Sequence, residues 1–193
     1  MSRWVGSPWF WVLAIAAIVA LPMRRAFFTT LPPMLPEGGE VPPFALVDQH
    51  GQPFGSDDLR GRVWLGVALS PSSPEGRELG EKIKKIQHRA HNLGVAFHIV
   101  TITLAPSEDS PADLDAFVRD VHGSPRMWSF LTGRASDVEA LLGALSMLTP
   151  GPADQLVWLV DPRMHVRARY DLREPSVVES VLRDVGLLAN RGG

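Results

Sequence analysis

Cysteine is missing from all 193 residues. Its absence excludes disulfides, a thiolate nucleophile, thiol–disulfide exchange and any sulfur-rich zinc or iron–sulfur site. It leaves the redox compartment open, because oxidising and reducing surroundings both tolerate cysteine-free proteins. Acidic residues are missing from the chain ahead of Glu37. Setting aside Arg3, Arg24 and Arg25 leaves 16 of the 19 basic residues against all 21 acidic ones, so the part from Ala26 onward carries −5. A mildly acidic domain without a basic cluster is a poor nucleic-acid binder, since phosphate neutralisation supplies most of that affinity. A Gly-x-Ser-x-Gly nucleophile motif is also lacking, as is any internal repeat.

What is present begins with an apolar stretch. Trp4 to Met23 holds no charged residue, and about twenty helical residues at ~1.5 Å each match the hydrocarbon core of a bilayer. Trp4, Trp9 and Trp11 gather toward one end and Arg24 and Arg25 close the other, the arrangement of an interfacial aromatic belt and a charged flank. Residues 1–25 therefore read as one transmembrane anchor. A cleaved signal peptide is the competing reading, but no small-x-small site precedes the arginine pair. The positive charges at the two ends nearly balance, so charge alone does not orient the span. Residues 26–43 form a tether with Pro32, Pro33, Pro36, Pro42 and Pro43, extended and semi-rigid by composition.

From residue 44 to 193 the periods are those of a folded domain. Phe44–Asp48 and Gly51–Phe54 read as a short hairpin. Val63–Leu69 is apolar on both faces, as a central strand should be. Glu75–Leu93 is a helix with Leu79, Ile83, Ile86, Ala90 and Leu93 on one stripe, ended by Gly94. Ala96–Leu104 is a second strand. Ser110-Pro111 caps a helix that buries Leu114, Phe117, Val118 and Val121, and Ser136-Asp-Val-Glu139 reads as the capping box of another. Leu156–Val160 is a buried strand and His165–Tyr170 a half-exposed one, with His165, Arg167 and Arg169 facing water. A last helix spans about Pro175 to Leu188. The order predicts an α/β fold, a thioredoxin-like three-layer α/β/α sandwich with an N-terminal hairpin, preceded by one transmembrane helix.

The chain resembles the Sco/SenC proteins, membrane-anchored copper chaperones of cytochrome oxidase assembly. Pro43–Gly51, Leu59–Leu65, Val100–Thr103, Asp109-Ser-Pro111, Trp128–Gly133 and Leu159–Pro162 carry the likeness, in family order and at family-like spacing. The resemblance implies a domain on the extracytoplasmic, periplasmic side. It implies work on a respiratory membrane complex or its assembly factors, and copper as the family's cargo. The family's two ligand cysteines, spaced Cys-x-x-x-Cys-Pro, fall on Leu69 and Ser73 when anchored on Pro74. Its ligand histidine falls near Ala153, and its acidic Asp-Pro-x-x-Asp-Thr pattern reads Ala105-Pro-Ser-Glu-Asp-Ser110. All three principal ligands are replaced, and a serine hydroxyl is a poor donor for Cu(I), which favours soft sulfur. The expectation is a non-catalytic protein with no catalytic residue, metal ligand or cofactor, acting through protein contacts.

Other readings stay open. A divergent copper carrier would use His and Met: His88 and His91 stand three apart on one helix, and His122 and Met127 flank one loop. The helical angle places both His88 and His91 toward solvent. His98 and His165 read as edge-strand residues and His50 as a turn residue. Ser70, Ser72 and Ser73 occupy a strand-to-helix junction, where hydrolase nucleophiles occur, but the motif is absent and the flanking prolines restrict the backbone. A permanent accessory subunit of a membrane complex is the remaining alternative.

Overall fold

In the computed structural model, Leu35, residues 38–148 and residues 157–189 are described. The anchor and most of the tether lie outside that set. Among the described residues no helix is long and apolar enough to cross a membrane.

The chain first makes a hairpin of β1 (Ala45–Val47) and β2 (Pro53–Gly55), turned by Asp48, whose carboxylate accepts from the His50 and Gln52 amides at 2.9 and 2.8 Å. One helical turn, α1 (Ser56–Leu59), leads to β3 (Val63–Leu69) and then α2 (Pro74–Ala90). A 3-10 segment, His91–Ala96, follows, with Gly94 at φ 54°, the left-handed region that a glycine enters without strain. The remaining elements are β4 (Phe97–Thr103), α3 (Pro111–Asp120), β5 (Trp128–Leu131), α4 (Ala135–Leu148), β6 (Val157–Val160), β7 (Val166–Tyr170) and α5 (Val177–Ala189).

Five strands form one sheet in the order β5-β4-β3-β6-β7. β3 pairs parallel with β4 and antiparallel with β6, and every residue of β3 is buried. One face packs Val63, Leu65, Val67 and Leu69 against Ile83, Ile86 and Ala90 of α2, Leu114 and Phe117 of α3, and Val181 and Val185 of α5. The other packs Trp64, Ala68, Trp158 and Val160 against Val138, Leu141 and Leu145 of α4 and against Leu46 of the hairpin. Gly66 makes the second face possible: a Cβ there would lie 3.0 Å from the Trp64 ring and 3.6 Å from the Trp158 ring. This is the expected thioredoxin-like α/β/α layering.

Both sheet edges are covered, which removes exposed pairing templates. At the β5 edge, Val47 and Thr132 exchange backbone bonds of 2.9 Å. At the β7 edge the end of the tether lies alongside as a short extension of the sheet: Gly38 N donates to Val166 O at 2.8 Å and Val41 N to Met164 O at 2.7 Å. Tyr170 closes the lower corner, donating to Asp184 Oδ2 at 2.8 Å; burial first, then the neighbouring carboxylate, pushes its phenol up from the ordinary value.

Four details differ from the sequence expectations. β5 was not anticipated as a strand, because four residues interrupted by Ser129 are too short to show a period. α4 is capped two residues ahead of the expected Ser136, starting at Ala135, with the Arg134 carbonyl accepting from the Asp137 and Val138 amides. The face of β7 is not simply wet: a bulge between Leu159 and Val160 shifts the register, and Arg167 is only 8% exposed, 3.4 Å from Asp161. Arg169 lies over the Trp158 ring at 5.7 Å. Finally, His98 is not at an edge. β4 runs between β3 and β5, and His98 is 5% exposed, stacked on Phe54 with Nε2 2.9 Å from Ser129 Oγ.

His98 makes stability depend on pH. Burial, aided by Arg62, lowers its pKa from 6.5 to about 4, so the folded protein keeps it neutral where the unfolded chain would charge it. Its contribution is complete above the unfolded value and is lost as pH falls from 6.5 toward 4. The loss approaches about 3 kcal/mol once pH is below both values. We expect His98→Gln to flatten that part of the profile; urea midpoints at pH 7 and 4.5, compared with the wild type, check it.

Candidate functional site

The site is the junction where the sheet's central strand hands over to the longest helix. β3 ends with Leu69, whose carbonyl accepts from Leu104 N at 3.1 Å, tying the ends of β3 and β4 together. The next four residues form a tight turn, with Ser73 N donating to Ser70 O at 3.2 Å. Ser73 then caps α2. Its Oγ accepts from Gly76 N at 2.9 Å and donates to Ser70 O at 3.0 Å, while Pro74 occupies the first helical position, where its missing N–H costs nothing. Gly76 is required by the same turn: a Cβ on it would sit 1.9 Å from the Ser70 carbonyl oxygen.

These contacts decide what the position can do. Leu69 is 1% exposed and belongs to the core on the α2 side of the sheet, with no donor atom to offer. The Ser73 hydroxyl has both its donor and an acceptor site committed to backbone. Ser70 and Ser72 bond each other, Oγ to Oγ at 3.1 Å. None of the three serines has a histidine hydrogen-bonded to it among the described residues, so the hydrolase reading gains no base. Ala153 lies outside the described residues. Leu69 and Ser73 do not fit Cu(I), which is held by soft sulfur and imidazole donors.

The histidines and methionine of the copper-carrier reading stand apart from this junction. His88, in the last turn of α2, and His91, at the start of the 3-10 segment, are both exposed, their rings stacked at 5.9 Å, with His91 Nδ1 2.6 Å from the His88 carbonyl oxygen. That bond commits one imidazole nitrogen to the backbone. His122 is exposed in a left-handed turn at φ 57°, whereas Met127 packs against the core beside α2. His50 lies 3.9 Å from Asp115, at the hairpin. His165, in the turn before β7, lies 3.8 Å from Asp161. Among the described residues, no three His, Asp or Glu side chains are grouped to hold a metal ion.

Around the junction the structure adds features that sequence reading missed. An apolar cavity of about 450 Å³ opens beside Leu69 and Ser73, walled by Leu79, Leu104, Val157 and Leu172. Leu104, just past the end of β4, is 45% exposed there. Across the loop, Asp109 is buried and accepts from Thr103 Oγ1, while Thr132 Oγ1 donates to the Asp109 carbonyl at 3.4 Å. The surviving acid of the family pattern therefore braces the β4–α3 connection. Ser110 and Asp113 form the α3 capping box, the serine hydroxyl donating to Asp113 Oδ2 at 2.5 Å.

A family model described as SCO1/SenC matches residues 34–175. A SCO1 protein homolog of Bacillus subtilis is 27% identical over 163 residues, which cover 76% of this chain and 81% of that protein. The fold is similar to that of BsSco, described as a member of the Sco family of cytochrome c oxidase assembly proteins, with TM-score 0.71 and 23% identity over 83% of this chain and 99% of that one. It is similar also to copper-bound yeast Sco1, with TM-score 0.61 and 21% identity over 81% and 95% of the two chains.

If Ser73 is a cap and not a reactive group, its removal should cost stability alone. We expect Ser73→Ala to lose about 1 kcal/mol and Ser73→Asp to retain most of it, read from urea denaturation. Gly76→Ala should cost more than Ser73→Ala, because the atom it meets is backbone and cannot swing aside.

Proposed function

We propose that this chain, which belongs to the SCO1/SenC family, assists the assembly or support of a cytochrome oxidase-type respiratory complex through protein contacts, without chemistry of its own. The observation that carries the reading is the β3–α2 junction, where a core leucine and a helix-capping serine occupy the positions that the family resemblance gives to copper ligands. The overall fold is similar to that of the Sco structures, while Leu69 and Ser73 offer no soft donor atom at the end of β3. Function has to be argued from the site, and this one offers surface and shape.

The anchoring reading belongs to the same proposal. The uncharged run from Trp4 to Met23 supports a single membrane span, and the tether would hold the domain near a partner embedded in the same bilayer. The family resemblance supports an extracytoplasmic location. A copper carrier using His88 and His91 draws support from their stacked, exposed rings, but one of the four ring nitrogens is already turned to the backbone.

Pull-down of the tagged full chain from solubilised membranes tests the proposal. Respiratory-complex subunits or their assembly factors should copurify, and a fixed ratio would favour a permanent subunit over an assembly factor. Replacing each of His50, His88, His91, His122 and His165 singly, and leaving out His98, which is buried in the core, should leave the level of assembled oxidase unchanged. Loss of oxidase with one such replacement would point back to a metal ligand and away from this reading.

A further inference from the structure

The loop Ser70–Ser73 separates two recesses. On one side is the apolar cavity of about 450 Å³, its walls including Leu69, Leu79, Leu104 and Leu172. Its rim carries Glu75, Glu78 and Asp171 against one basic group, Arg173. On the other side, Pro71 and Ser72 border an open groove of about 560 Å³ that runs to α3. Glu108, Asp109, Asp113 and Asp120 line it, opposed by Arg77. Around one loop, seven carboxylates thus face Arg77, Arg173 and, beside Glu78, Lys82, and each cation is paired, Arg77 with Asp120 at 2.5 Å, Arg173 with Asp171 at 2.8 Å and Lys82 with Glu78 at 2.9 Å. Seven carboxylates against three cations leave this end of the sheet net negative, next to an opening that leaves Leu104 nearly half exposed.

We infer that this end of the domain docks an extended protein segment in which an apolar side chain, seated in the cavity, is flanked by Lys or Arg lying in the carboxylate-lined groove. The cavity is large enough for more than one apolar side chain but small for a folded element. The groove continues the footprint across the loop, which suits a chain of several residues. Opposite charge supplies steering and register, and burial of the apolar residue beside Leu104 supplies the lasting contact. The proposal rests on the protein-contact reading above and names the chemistry of its partner.

The probe is a fluorescein-labelled peptide, acetyl-Lys-Lys-Leu-Phe-Lys-Lys-amide, titrated with the detergent-solubilised full chain and followed by polarisation. Its counterpart carries Glu in place of every Lys. The basic peptide should saturate the protein and bind at least about ten-fold more tightly than the acidic one, with the difference shrinking as salt is raised. Leu104→Asp should weaken the basic peptide by about ten-fold, the double replacement Glu75→Gln/Glu78→Gln should weaken it less, and Met147→Asp, remote on α4, should leave it unchanged. Equal binding of the two peptides would overturn the proposal, as would binding indifferent to Leu104→Asp. A dimer that dissociates on Leu104→Asp would also overturn it, by assigning the face to a second copy. If peptide binding fails while respiratory subunits still copurify, the contact lies on another face and only this inference falls.

Discussion

Ser73 Oγ holds the Gly76 amide and the Ser70 carbonyl at once, and those two bonds fix how α2 leaves the central strand. The rest of the domain is arranged around that departure. With β3 buried on both faces, the strand must end cleanly, and the next backbone groups need partners because they cannot remain bare beside a core. The turn provides them internally. Pro74 removes one orphan amide, Ser73 satisfies another, and Gly76 allows the Ser70 carbonyl to approach closely. The helix that follows then lays its Ile83–Ile86–Ala90 stripe against the sheet.

The same arrangement occupies the polar side chains of this junction. A metal-binding loop keeps donor atoms turned outward and unpaired until the metal arrives. Here every hydroxyl of the loop has a partner within the loop, and the side chain at the strand's end has turned inward to the core as leucine. Around this quiet centre the surface has not become bland. The cavity beside Leu104 and the surrounding carboxylates are features that stability alone does not call for, since like charges gathered at one end of a domain repel one another.

Much of this was legible in sequence, and the failures have physical causes. The buried strand Val63–Leu69 shows as an unbroken apolar run, the α2 stripe as a helical period, and the hairpin through its turn at Gln49-His50-Gly51. Ser110-Pro111 carries the signature of a helix cap, and the same dipeptide at Ser73-Pro74 has the same role at the start of α2. β5 is short and contains Ser129, so no period could show it. The burial of His98 depends on Phe54 and Ser129, which lie 44 and 31 residues away, and the burial of Arg167 depends on a bulge; neither is a local property. The cavity is assembled from β3, α2, β4, β6 and the β7–α5 connection, a convergence that no single stretch of sequence contains.

The most direct test of the central claim is Cu(I) affinity of the full chain, measured in competition with a chromophoric chelator alongside metal content after purification. Nothing tighter than weak surface association is expected, and no difference between the wild type and Ser73→Ala. One equivalent of Cu(I) held tightly against the chelator would contradict it, and would mean that this scaffold still handles the metal with donors other than those at the end of β3.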